Sequence, residues 1–239
     1  MASSDRFAAT APAVRLFEWR TYVPAPGGAG DLVRRLRRSQ EAVATAGLLR
    51  PLGLWIEEIG SPGLVSSLWS FPGLEAREQA LAAGEFQGEE GSGQVLDHVE
   101  SVLWRTTGYS PEPAVLAPVI ELRTYDAMPG RLQAVHDWFA TFTVAAFARH
   151  GFENCGYWTE YFGRSGRLVY IVGFSSLEHR ERAWRAFGQD PAWHAARQES
   201  ERDGPLIERH GARILRSARR QRPAPPTRQE TQEARSDAI

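Results

Sequence analysis

Between Ile120 and Tyr125 the chain alternates apolar and charged side chains, Ile-Glu-Leu-Arg-Thr-Tyr. A two-residue period predicts a strand, with Ile120, Leu122 and Thr124 on one face and Glu121, Arg123 and Tyr125 on the other. Pro129-Gly130 breaks that pattern. Leu132, Val135, Phe139, Phe142 and Ala146 then recur at three- and four-residue steps, which is one face of a helix. Two more strand-like runs follow, Cys155–Phe162 and Leu168–Phe174, and a charged helix starts near Ser176.

The same pattern occurs earlier in the chain. Glu18-Trp19-Arg20-Thr21-Tyr22 matches Glu121-Leu122-Arg123-Thr124-Tyr125 at a shift of 121 − 18 = 103. Without a gap, that shift also superposes Pro26-Gly27 on Pro129-Gly130. It places Gly53, Trp55, Glu57 and Gly60 on Gly156, Trp158, Glu160 and Gly163, and Phe71, Leu74, Glu75, Arg77, Glu78 and Ala80 on Phe174, Leu177, Glu178, Arg180, Glu181 and Ala183. So many matches in one register identify a tandem duplication. Arg105 pairs with Arg216 at a shift of 111, so the second copy carries 111 − 103 = 8 extra residues, in which Pro191-Ala192-Trp193-His194 predicts an added helical segment.

The predicted organisation is a disordered stretch over 1–13, a first repeat over 14–109, a linker over 110–118, a second repeat over 119–217 and a disordered tail over 218–239. Each repeat reads β-α-β-β-α-β, an α+β unit with two helices on one face of a four-stranded antiparallel sheet. The helix-free faces need covering, and two linked copies suggest that the sheets pack together around an enclosed space. The last strands are expected around Ser101–Thr107 and Arg213–Ser217.

Composition narrows the chemistry. The 239 residues carry a net charge of -1, which gives no general attraction to nucleic acid or acidic membranes. No apolar run approaches the roughly 20 residues that span a bilayer, and the first residues lack a signal-peptide order. Cys155 is the one cysteine, so a reducing cytoplasm is expected. Every basic side chain is Arg, which excludes a Schiff-base lysine and a phosphate-loop lysine. Alongside abundant Ala and Gly, this reads as the mark of a GC-rich bacterial genome.

Several stretches then resemble the NIPSNAP family. They are Ile120-Glu-Leu-Arg-Thr-Tyr125, Pro129-Gly130, Arg149-His150-Gly151, Gly156-Tyr157-Trp158, Ser176–Ala183, Asp190-Pro191-Ala192-Trp193 and Ile214-Leu215-Arg216. The second copy covers the family pattern nearly end to end. The first matches more loosely, with Gly47 in the place of His150 and no Asp-Pro-x-Trp segment. The resemblance implies a ferredoxin-like unit of the dimeric α/β-barrel superfamily, here with both halves in one chain. That superfamily includes cofactor-free monooxygenases, polyketide cyclases, isomerases and haem-binding enzymes, and a fold does not choose among them.

Placing Ile120, Leu122 and Thr124 against the helices turns Glu121, Arg123 and Tyr125 into the enclosed space, with Glu18, Arg20 and Tyr22 facing them from the other half. A carboxylate beside an Arg and a Tyr suits general acid–base work, and it equally suits a structural ion pair. Trp55 and Trp158 share a strand face with Glu57 and Glu160. They suggest aromatic walls for a flat substrate, or packing between the sheets. Tyr157, Thr159 and Tyr161 stand where the first copy has Leu54, Ile56 and Glu58, an asymmetry that biases a functional cavity to the second half. Glu160 and His194 join the catalytic candidates, and Trp193 and His150 the substrate-binding ones. His136 and His179 read as boundary or surface residues, and Cys155 as a small buried one. No His or Cys spacing makes a metal site.

The expected function is acid–base isomerisation or cyclisation of an aromatic or polyketide-like small molecule in bacterial metabolism. It would need no tightly bound cofactor and no nucleic-acid or membrane partner, and it leaves room for a homodimer. The alternatives are a cofactor-free or haem-assisted monooxygenase, and a non-catalytic binding or scaffold protein, which is favoured if tryptophans fill the space between the sheets.

Overall fold

The computed structural model describes residues 15–46, 49–83 and 95–218. The expectations for 1–13, for the Gly/Glu-rich stretch 84–93 and for the chain beyond 218 lie outside these residues. The first repeat contains β1 (Leu16–Pro24), α1 (Ala29–Ala46), β2 (Arg50–Ile59), β3 (Val65–Phe71), α2 (Leu74–Ala82) and β4 (Leu96–Thr106). The second contains β5 (Val119–Ala127), α3 (Leu132–Trp138), one π-helical turn (Phe139–Thr143), α4 (Val144–Arg149), β6 (Glu153–Glu160), β7 (Arg167–Phe174), α5 (Leu177–Gly188), α6 (Pro191–Ser200) and β8 (Ile207–Ser217).

The helix starts follow local chemistry. Ser176 caps α5 by accepting from the His179 amide. Asp190 caps α6 by accepting from the Ala192 amide, with Pro191 in the first turn, where a missing N–H costs nothing. β4 and β8 begin well before their predicted starts. Their leading halves pair with β1 and β5 but are largely exposed, so backbone pairing holds them and no apolar alternation marks them.

Eight antiparallel strands close a barrel in the order β1-β3-β2-β8-β5-β7-β6-β4. Each repeat contributes four neighbouring strands. The repeats are stitched together at two seams, β2 with β8 (Ile56 opposite Arg216) and β4 with β6 (Arg105 opposite Thr159). The expected pseudo-dimeric α/β barrel is therefore present, and its two sheets are hydrogen-bonded edge to edge.

The inside of the barrel differs from expectation. Phe17, Trp19, Ile120, Leu122, Trp55, Trp104, Trp158 and Leu215 all belong to one buried cluster, together with Val115 and Ala117 of the inter-repeat linker. Four indoles run in a chain across the repeats: Trp19 stacks on Trp55 and on Trp104 at 5.5 Å, and Trp104 meets Trp158 at a tilt, also at 5.5 Å. The predicted hollow is filled with side chains, and the predicted facing is inverted. Ile120 and Leu122 point into the barrel, while Glu121, Arg123 and Tyr125 point out toward the helices, as do Glu18, Arg20 and Tyr22. Both faces of β1 and β5 are covered here, so alternation alone does not tell inside from outside. The charged face goes outward because helix arginines can reach it there.

The indoles fit because of a glycine two residues before two of them. A methyl group on Gly53 would overlap the Trp55 ring, and one on Gly156 would overlap the Trp158 ring. In both repeats the strand is irregular in register at this glycine, and the indole folds back over its backbone. Gly-x-Trp is thus a packing device that the duplication has kept twice.

Charged groups cap the hairpins and the strand ends. Glu57 accepts from the Ser61 amide and from Arg213. Its counterpart Glu160 accepts from the Arg164 amide at 2.7 Å and from Arg167 at 3.2 Å. Asp126 receives Arg167, Arg164 and Arg209 together. The hydrogen bonds from Arg167, followed by those from Arg209, outweigh burial and hold the Asp126 carboxyl down at about 2.

Two outcomes follow. Gly156→Ala should destabilise the fold by roughly 1–3 kcal/mol, the usual cost of overpacking a core, and should weaken the near-ultraviolet circular dichroism of the packed indoles. Unchanged unfolding and spectrum would contradict the role given to Gly156. The depressed Asp126 value means that its stabilisation is present above the ordinary carboxylate range and is lost as pH falls toward about 2. Thermal unfolding of the wild type should therefore weaken more steeply from about pH 4 to about pH 2 than that of Asp126→Asn. Parallel curves for the two proteins would contradict it.

Candidate functional site

With the barrel interior occupied, open space lies outside it, and one such space sits over the β4–β6 seam. A cleft of about 610 Å³ runs between the end of β4 with its following turn, one flank of α3 and the π-helical turn after it, and the start of the β6–β7 hairpin. Arg105, Thr107 and Tyr109 come from the first wall, Leu132, Gln133, His136, Asp137 and Ala140 from the second, and Thr159, Glu160 and Tyr161 from the third. Both repeats therefore contribute to one site.

The chemistry concentrates at His136 and Tyr109. The Tyr109 hydroxyl lies 2.9 Å from His136 Nδ1, and both side chains are partly buried. Burial holds the His136 ring below the ordinary histidine range; the positive charge of Arg105 adds to this, against the opposing charge of Asp137. Burial pushes the Tyr109 phenol well above the usual tyrosine range, so it keeps its proton. At neutral pH the pair is thus a neutral imidazole held by a neutral phenol. Among the described residues no protein group pairs with Nε2, the other ring nitrogen. Behind Tyr109, the Tyr157 ring stands 5.6 Å away and stacks at 5.6 Å on Tyr170. One turn of π-helix directly follows α3, locally widening the helix that carries His136; such turns recur at functional sites.

The first repeat has a cleft of about 440 Å³ between α1, β2 and Ala218, but its lining holds no histidine or tyrosine. The positions equivalent to His136, Tyr157, Thr159 and Tyr161 are Val33, Leu54, Ile56 and Glu58. Glu58 there takes the Arg216 guanidinium through both carboxylate oxygens.

Of the residues expected from sequence, the structure brings Tyr161 and Glu160 to this cleft and sets Tyr157 directly behind it. Glu160 is already engaged by Arg167 and the Arg164 amide. The Glu-Arg-Tyr sets do not line it. Glu121 is fully buried and accepts from Arg123 at 2.9 Å, Arg180 at 2.8 Å and Trp184 Nε1 at 2.6 Å. Glu18 is held in the same way by Arg20 at 3.0 Å and Arg77 at 2.7 Å. These carboxylates tie the first strand of each repeat to its second helix. Arg123 lies 4.7 Å from the Trp184 ring and 5.6 Å from the Tyr125 ring, and the Tyr22 hydroxyl meets Ser67 at 3.0 Å.

Trp55 and Trp158 are in the barrel interior and form no wall to an open space. His150 bonds Asp190 at 2.8 Å, Trp193 packs on Phe187 at 5.3 Å, and the exposed His194 faces the Gly188 carbonyl at 2.9 Å. Together they dock α6 onto α4 and α5, away from the cleft. Sequence reasoning missed His136, Tyr109 and Arg105. The Tyr157-Thr159-Tyr161 asymmetry marked the face of β6 that borders this cleft, and the alignment of His136 with Val33 was the second available signal. Among the described residues no group of three or more His, Cys, Asp or Glu side chains is arranged to hold a metal, and no helix is long and apolar enough to cross a membrane.

Comparison with known proteins agrees with this architecture. The chain is 28% identical over 149 residues to a NipSnap homolog of Dictyostelium discoideum, which covers 59% of this chain and 65% of that protein's length. Its fold resembles the crystal structure of a putative monooxygenase from Lactobacillus acidophilus NCFM, with a TM-score of 0.65, 10% identity, 86% of this chain and 94% of that one covered. It also resembles an anthrone oxidase-like protein, with a TM-score of 0.57, 12% identity, 85% of this chain and 91% of that one covered. The NIPSNAP family model matches twice, over residues 17–111 and 120–220. This chain is therefore a member of the NIPSNAP family, built from two family repeats closed into one barrel.

Proposed function

We propose that the protein is an enzyme acting on an enolisable, aromatic or polyketide-like small molecule held in the cleft over the β4–β6 seam. His136 serves as the general base, and no tightly bound cofactor takes part. The observation that carries this reading is the His136–Tyr109 pair on the cleft wall, where the first repeat has Val33 in the place of the histidine. With Nδ1–H donating to the Tyr109 oxygen, Nε2 presents a lone pair to the cleft. It removes a proton from carbon beside a carbonyl, and the imidazolium returns that proton to another carbon or oxygen of the same enolate. The net result is isomerisation, or ring closure where the enolate attacks a second carbonyl. Tyr109 and Tyr161 offer ring faces to a planar substrate, with Leu132 and Ala140 opposite.

A second reading shares the first step. The carbanion formed at His136 is electron-rich enough to react with dioxygen, which would make the protein a cofactor-free oxygenase. The fold likeness to a putative monooxygenase and to an anthrone oxidase-like protein favours keeping it. Oxygen uptake during turnover separates the two readings.

The test of the shared step is exchange of acidic C–H protons of 2-tetralone for deuterium, followed by NMR at catalytic protein concentrations. The wild type should accelerate exchange, and His136→Gln should lower the rate by about 100-fold or more, within the usual range for a general base. Because the His136 value is depressed, activity should persist below the ordinary histidine range and fall only as pH drops through that lower value. Equal rates for the two proteins would remove His136 from the mechanism. Binding without exchange would leave a ligand carrier rather than an enzyme.

A further inference from the structure

The two repeats place an arginine at the same point of each seam, and only one of them has a carboxylate. In the first repeat's version, Arg216 lies opposite Ile56, and its fork is filled by Glu58: Nε donates to one carboxylate oxygen and Nη2, at 3.0 Å, to the other. In the second repeat's version, Arg105 lies opposite Thr159, and the position of Glu58 is occupied by Tyr161. Arg105 donates Nε to Thr159 Oγ1 at 3.2 Å, and among the described residues no carboxylate pairs with it. The guanidinium lines the cleft, and its charge is felt at His136 across it. A planar fork with two parallel donors matches a carboxylate better than any other common group.

We infer that the substrate brings the missing carboxylate: the cleft takes an aromatic carboxylic acid, whose carboxylate pairs with Arg105 through the Nη1 and Nη2 edge that Thr159 leaves open, as Glu58 pairs with Arg216. This rests on the cleft being the functional site and adds to it the charge of the ligand and the end at which it is anchored. The two carboxylates already in the cleft do not compete. Glu160 is held by Arg167 and a backbone amide, and Asp137 accepts from Gln133 at 2.9 Å. With the acid anchored on Arg105, the rest of a flat molecule extends toward His136. The enolisable carbon then lies in the body of the ring system rather than next to the carboxylate.

The test uses the full chain with 2-naphthoate and its uncharged analogue 2-naphthamide, with affinities from ligand-observed NMR. The wild type should bind 2-naphthoate about tenfold or more tightly than 2-naphthamide, the usual range for a charge-assisted bidentate contact. Arg105→Gln should abolish that preference while leaving 2-naphthamide binding unchanged. Arg105→Lys, which keeps the charge and loses the fork, should fall between. Tyr161→Glu, which rebuilds the pair seen in the first repeat, should also remove the preference. A wild type that binds both probes equally, or an Arg105→Gln variant that keeps the preference, overturns the inference while the cleft stands as a ligand site. If neither probe binds, the cleft itself fails, and the inference fails with it.

Discussion

Everything in this molecule follows from filling a closed barrel. Eight strands leave an interior that side chains must occupy, and here four indoles from both repeats occupy it, in a chain with 5.5 Å between successive rings. Two of them fit only because Gly53 and Gly156 leave room for a ring to fold over the backbone. Once that space is filled with side chains, it cannot take a substrate, and the charged alternate positions of β1 and β5 must face the helices. Buried Glu18 and Glu121 are stable there because Arg77 and Arg180 arrive from the second helix of each repeat. Each such carboxylate is costly to leave unpaired. These groups therefore act as ties between layers, and function has to be sought where the layers fail to meet.

The cleft over the β4–β6 seam is such a place. Fusing two family units in one chain removes the requirement that both halves be identical, and the halves have diverged on the face that covers the seams. The first repeat carries Val33, Leu54 and Ile56 at the matching positions, and its seam arginine is paired, Arg216 with Glu58. The second leaves a cleft, places a histidine and a tyrosine in contact, and strips the arginine of its carboxylate.

The architecture was legible because it depends on periodicity and on repetition, both of which survive in a single sequence. The 103-residue register predicted the paired turns, the Gly-x-Trp positions and the two helices per unit before any coordinates. The facing was not legible. Ile-Glu-Leu-Arg-Thr-Tyr alternates identically whichever side is inside, and a strand covered on both faces gives no hydrophobic cue to choose. His136 was lost for a related reason: at the edge of a helical apolar stripe it looks like any boundary residue, and its meaning comes from Tyr109, 27 positions earlier, across a turn. Yet Tyr157, Thr159 and Tyr161 against Leu54, Ile56 and Glu58 did record which half had changed and on which strand face.

The most direct test of the central claim is a crystal structure of the chain grown with a bound aromatic probe. The account predicts the probe outside the barrel, beside His136 and over the β4–β6 seam, with Trp19, Trp55, Trp104 and Trp158 still packed together. A probe found among those indoles, or bound against the first repeat with the cleft empty, would contradict it.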